Sequence, residues 1–159
     1  MVSSNPVHVR RCGLVSIVLS GGLAVSSVAL AQPLEVRVTA VQAAERGPSD
    51  AELTRLRPRL RRLAGYRSFR VMHEETRRCP WRLPQAFDIP GGPLVRVVPK
   101  GIRDDLLVLQ VTLREGTRTL VDTDLRLQNH GTMMFGVGRD ASTADAALII
   151  LLRAETEEE

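Results

Sequence analysis

Beyond residue 31 the sequence holds one thiol, Cys79, and two imidazoles, His73 and His130. A thiol and an imidazole can form a nucleophile and its base when the fold places them within hydrogen-bond reach. The sequence offers no third, orienting group, and it lacks the spacing that puts two metal-binding imidazoles on one helix face. We therefore predict no catalytic residue, no metal site and no cofactor, and keep an exported enzyme using Cys79 and His73 as the lesser alternative.

A dense run of arginines gives the second candidate site. Its members are Arg55, Arg57, Arg59, Arg61, Arg62, Arg67 and Arg70. Four leucines at helical spacing run through the same segment and form one apolar stripe: Leu53, Leu56, Leu60 and Leu63. On a helical wheel Arg55, Arg59 and Arg62 lie away from this stripe, so we predict that they bind an anionic ligand. The alternative interpretation is a solvated helix face in an arginine-rich chain.

Charge is distributed unevenly along the chain. Residues 32–103 hold 15 basic and seven acidic residues, whereas residues 104–159 hold five basic and 11 acidic residues. Such a domain can pair its two halves internally or present a dipolar surface. A nucleic-acid partner is not expected, because only 3% of the residues are aromatic and base stacking needs aromatic side chains.

The first 31 residues have the layout of a cleavable signal peptide. Arg10-Arg11 precedes an apolar run over residues 14–30, and the small residues Ala29 and Ala31 stand at the expected cleavage site. We predict cleavage after Ala31, a periplasmic or secreted protein, and no transmembrane span after cleavage. The alternative is a retained anchor helix.

The helix and strands that would position these side chains are predicted from the hydrophobic periodicity of the sequence. Residues 34–40 alternate between apolar and polar side chains, as in a strand with one buried face. Ser49 and Glu52 have the spacing of a capping box, so we predict a helix over residues 50–64 with a kink or break at Pro58. Further strands are predicted over residues 66–78, 85–89, 94–98, 107–113, 121–127, 133–137 and 146–152.

This order predicts an α+β fold, in which one N-terminal helix packs on a mostly antiparallel sheet of about six or seven strands. We expect residues 32–154 to form a single domain and residues 155–159 to form an acidic tail. The continuous apolar run at 146–152 favours a strand that is covered on both faces.

Several of these features together resemble an uncharacterised family of small exported bacterial proteins. They are the leucine-spaced helix, Tyr66-Arg67-Ser68-Phe69, the Pro90-Gly91-Gly92 turn, the two alternating strands over 107–127, and Leu148-Ile149-Ile150-Leu151. The resemblance supports export and fold, and it implies no activity. The export signal, the basic helix face and the lack of a catalytic grouping in the sequence lead us to expect a non-catalytic protein of the cell envelope that binds an envelope protein or an anionic envelope surface. The alternative to the binding role is an accessory component of a secretion or envelope assembly.

Overall fold

The computed structural model describes residues 32–139 and 146–156, and strands make up most of these described residues. The described residues form β1 (Leu34–Ala44), β2 (Ser68–Cys79), β3 (Gln85–Asp88), β4 (Leu94–Arg103), β5 (Leu106–Glu115), β6 (Arg118–Leu127), β7 (Gly131–Arg139) and β8 (Ala146–Thr156). Between β1 and β2 lie a short 3₁₀ helix at Ala51–Leu53 and the helix α1 at Arg57–Ala64. Each strand predicted from the sequence is confirmed, with boundaries that differ by a few residues.

The strands form two antiparallel sheets, and the prediction of an α+β fold with one sheet of six or seven strands is wrong. The first sheet has the order β2-β1-β8-β7, and the second is the meander β3-β4-β5-β6. An eight-residue helix is too small to cover the apolar face of so many strands. The strands over residues 85–127 therefore pair among themselves and cover the first sheet, as in a β-sandwich.

The main core lies between the two sheets. The first sheet contributes the alternate residues Leu34, Val36 and Val38 of β1, with Ile150 and Leu152 of β8. The facing residues of the second sheet are fully buried and include Phe87, Val95, Val97, Leu109, Val111 and Leu113. This period of two is the one that the sequence pattern indicated.

A second, smaller core covers the outer face of the first sheet. Leu53 of the 3₁₀ helix and Leu60 of α1 are buried there against Phe69 of β2 and Ile149 and Leu151 of β8. Strand β8 is therefore buried on both faces, which confirms the prediction drawn from its continuous apolar run. Because α1 is held by these few contacts, its opposite side is left open to solvent.

Residues Ala31–Glu159 form one compact unit, and both cores are built from residues within it. We therefore expect a chain that begins at Gln32 to fold without the residues before it. The predicted signal peptide lies outside the described residues, as do residues 157–159 of the predicted acidic tail. Among the described helices, none is long and apolar enough to cross a membrane.

Candidate functional site

The helical segment that carries the arginines is fastened to β2 by two side chains. Ser49 Oγ accepts a hydrogen bond of 3.0 Å from the Phe69 amide, and Asp50 Oδ2 accepts one of 2.7 Å from the Val71 amide. The Asp50 amide in turn donates to the Phe69 carbonyl oxygen at 3.0 Å. The predicted capping box does not form, because Ser49 binds a strand amide that would otherwise face solvent.

Helix α1 is shorter than predicted, and Pro58 is the physical reason. Proline lacks an amide proton and is tolerated only in the first turn of a helix, where no intrahelical acceptor is needed. The chain therefore makes a 3₁₀ helix first, turns through Thr54–Leu56, and begins α1 at Arg57 so that Pro58 lies in its first turn. Gly65 ends α1 in the left-handed conformation, with a φ of 74°.

The structure places all three predicted binding residues on the solvent-exposed side of this segment. Arg59 and Arg62 lie on α1, whereas Arg55 lies in the turn before it. None of the three forms an ion pair with another described residue. Helix α1 itself contains four arginines and no acidic residue, so its exposed side is positively charged along its whole length.

The sequence did not reveal the apolar residues beside these arginines. Arg59 and Arg62 line a shallow hollow of about 350 Å³ together with Leu63 at the end of α1 and Met133 and Met134 of β7. We call these five residues the basic hollow. Leu63 belongs to the predicted buried stripe, yet its side chain is 48% exposed. Only its position as the last leucine of the stripe, at the end of α1, hints at this.

This arrangement is suited to binding and not to covalent chemistry. Guanidinium groups present several planar N–H donors that match phosphate and carboxylate oxygens. The neighbouring leucine adds apolar surface, and the two methionines, whose side chains are unbranched and flexible, make that surface adaptable. A partner that carries anionic groups beside apolar chains fits both properties at once.

The candidate catalytic side chains are not brought together. His73 and Cys79 lie on one strand six residues apart, which corresponds to about 20 Å. His130 lies in the turn before β7, and β1 and β8 separate that strand from β2. His130 Nδ1 is instead 2.8 Å from Glu155 Oε2, and this hydrogen bond holds the pKa of Glu155 below its usual range, with a smaller contribution from Arg153.

Cys79 has the environment of a structural thiol. It is fully buried in the main core, and its Sγ donates to the Arg77 carbonyl oxygen at 3.7 Å. Burial raises the pKa of this thiol to about 11, although nearby Arg77 lowers it slightly. The thiolate, which is the nucleophilic form, is therefore scarce at neutral pH.

No metal-binding cluster is found in the described part of the chain either. Among residues 32–139 and 146–156, no three His, Cys, Asp or Glu side chains are grouped so that they could hold a metal ion. His73 Nε2 is buried without a hydrogen-bond partner, and it lies 3.9 Å from Glu75 Oε2. Among the described residues, the basic hollow is therefore the arrangement that best supports a function.

Comparison with protein-family models, curated proteins and solved structures finds no match, so the geometry of this chain is the basis for its function.

Proposed function

We propose that this protein is an exported, non-catalytic domain of the cell envelope that docks on an anionic phospholipid surface through the basic hollow. The observation that supports it most is the position of Arg59 and Arg62, which are exposed and unpaired among the described residues, beside the half-exposed Leu63. An amphipathic surface of this kind binds membranes by combining attraction to anionic headgroups with burial of apolar side chains in the interface.

Export is the part of the proposal supported by residues 1–31 alone. The apolar run and the small residues that precede Gln32 have the order that signal peptidases recognise. The mass of the protein recovered from the envelope fraction of a producing bacterium tests this. A chain that begins at Gln32 supports export, and a chain that retains residues 1–31 contradicts cleavage.

Vesicle co-sedimentation tests the docking surface. The chain from Gln32 onward is mixed with vesicles of phosphatidylglycerol and phosphatidylcholine, and separately with vesicles of phosphatidylcholine alone. We expect binding to the anionic vesicles only, with a loss of affinity as the salt concentration rises to about 0.15 M. The double variant Arg59→Gln/Arg62→Gln should lose about 2 kcal/mol of binding free energy, or about 30-fold in affinity.

A matched control removes the same charge from the other side of the molecule. Arg96 on β4 and Arg126 on β6 are exposed on the outer face of the second sheet, away from α1. The variant Arg96→Gln/Arg126→Gln should retain vesicle affinity within a few-fold of the unchanged chain. Equal losses in the two double variants would show that net charge and not the basic hollow governs binding. A chain that does not bind anionic vesicles at all would contradict the proposal.

A further inference from the structure

Four polar residues form one row across the outer face of the first sheet. Antiparallel register pairs Thr76 of β2 with Arg37 of β1, Arg37 with Arg153 of β8, and Arg153 with Thr132 of β7. The two arginines are therefore direct cross-strand neighbours on the same face. Like charges in this position repel each other and weaken a sheet unless anionic groups lie beside them.

The carboxylates near the two guanidinium groups are also bonded to other side chains. Arg37 Nη1 is 4.0 Å from Glu74 Oε1, while Glu74 Oε2 accepts a hydrogen bond of 3.0 Å from Thr39. Arg153 Nη2 is 3.1 Å from Glu155 Oε2, and the same oxygen is 2.8 Å from His130. Each arginine thus has N–H donors beyond those engaged by these acidic partners.

The row borders a cleft of about 200 Å³ between the sheet and the helical segment. Its polar lining includes Arg37, Arg153 and Thr132, and its apolar lining includes Leu53, Leu56 and Leu151. The volume lies below the roughly 300–1,000 Å³ of sites that take drug-sized ligands. The cleft therefore suits a ligand of a few carbon atoms with one polar end.

Two acidic side chains set the charge of that ligand. Glu52 and Glu74 also line the cleft, and their two negative charges balance the two positive charges of Arg37 and Arg153. A dianion such as phosphate would bring its second charge close to these carboxylates. A carboxylate carries a single charge, and its two oxygens match the planar fork of a guanidinium group.

We propose that this cleft binds a small monocarboxylate with a short alkyl chain. Its carboxylate accepts hydrogen bonds from Arg37, Arg153 and the Thr132 hydroxyl, and so relieves the repulsion between the two arginines. Its alkyl chain packs against Leu53, Leu56 and Leu151 and leaves water. This site is separate from the basic hollow, and it does not depend on membrane docking.

Titration with hexanoate, followed by amide chemical-shift changes in the chain from Gln32 onward, tests the site. We expect saturable shifts at β1, β8 and the 3₁₀ helix, no saturable shifts there with hexan-1-ol, and weaker binding of inorganic phosphate. Arg37→Gln and Arg153→Gln should each weaken hexanoate binding by about tenfold or more, because a charge-assisted hydrogen bond is lost. Arg96→Gln/Arg126→Gln, which removes two charges elsewhere, should leave the affinity unchanged.

Thr132→Val provides a second variant that keeps both arginines and the shape of the cleft. It should weaken hexanoate binding several-fold, because one hydroxyl donor is replaced by a methyl group, while the unfolding temperature without ligand changes little. The proposal is overturned if hexanoate and hexan-1-ol bind alike, if hexanoate causes no saturable shifts, or if the three cleft variants bind hexanoate as well as the unchanged chain does.

Discussion

Asp50 and Val71 join the arginine-bearing segment to the sheet, since the Asp50 carboxylate accepts a hydrogen bond of 2.7 Å from the Val71 amide. Strand β2 lies at the edge of its sheet, so this amide has no strand on that side to pair with. The bond satisfies an edge donor and fixes the point from which the 3₁₀ helix and α1 start. Together with the Ser49 hydrogen bond and the packing of Leu53 and Leu60, this contact holds the segment that carries the basic hollow.

Replacing this carboxylate should loosen the segment. We expect Asp50→Ala to lower the free energy of unfolding by about 1–2 kcal/mol, because a partly buried amide loses its acceptor. Asp50→Asn keeps an acceptor oxygen at the same place and should cost less than half as much. Urea denaturation measures both values, and amide hydrogen exchange at Val71 should become faster only in Asp50→Ala. Equal stability of Asp50→Ala and the unchanged chain would contradict this role.

Gly92 allows the turn between β3 and β4 to pack against the first sheet. A Cβ atom at this position would lie 2.9 Å from Ile89 Cγ2 and 3.0 Å from Leu148 Cδ2. We expect Gly92→Ala to lower the free energy of unfolding by about 1–2 kcal/mol through overpacking. Gly136→Ala is the matched control, because a Cβ there meets no atom within 4 Å and the backbone is not left-handed. Thermal unfolding of the two variants compares them, and a loss of the same size in both would rule out a steric cause.

The buried thiol of Cys79 makes stability depend on pH in the alkaline range. Its pKa is about 11 in the folded protein, against 9.0 for an unperturbed thiol, so the folded state holds the proton more tightly than the unfolded state does. This contribution is fully present below pH 9 and is lost as the pH rises from 9 toward 11. Between pH of about 8 and 10.5 we expect the loss to be on the order of 1–2 kcal/mol.

Comparison with Cys79→Ala isolates this effect from other alkaline titrations. The variant leaves a small cavity and is less stable at neutral pH, but the stability difference between the two proteins should shrink as the pH rises. The unchanged chain should also resist thiol reagents at neutral pH until it unfolds. A stability difference that stays constant up to pH of about 10.5, or rapid modification of the folded protein, would contradict a buried protonated thiol.

Local periodicity was sufficient to predict the strands. Val36 and Val38 face the main core and Arg37 faces away, as the alternation of β1 indicated. The number of sheets could not be obtained in this way. The apolar residues of β5 could equally have lain beside β1 or opposite it, and only long-range packing decides between those arrangements.

The candidate site could be predicted only in part, because some of its residues come together only through long-range packing. Arg59 and Arg62 follow from the helical wheel, because their exposure is a local property of α1. Met133 and Met134 come from a strand some seventy residues further along the chain, and nothing in local sequence places them beside Leu63. The Arg37–Arg153 pair likewise depends on the register between the first and the last strand of the described chain.

Docking through the basic hollow requires that Leu63 enters the membrane interface and that exposed apolar residues elsewhere on the protein stay in water. Leu63 and Ile102 provide a matched pair, because their side chains are 48% and 57% exposed and Ile102 lies in the second sheet. In the chain from Gln32 onward, Leu63→Cys and Ile102→Cys can each be labelled with an environment-sensitive fluorophore, since Cys79 is buried.

The emission of these two labels on phosphatidylglycerol vesicles tests the central proposal most directly. We predict that the label at position 63 shifts to shorter wavelength and gains intensity as it enters the interface, and that the label at position 102 keeps its aqueous spectrum. A shift at position 102 without one at position 63, or binding that changes neither spectrum, would contradict docking through the basic hollow.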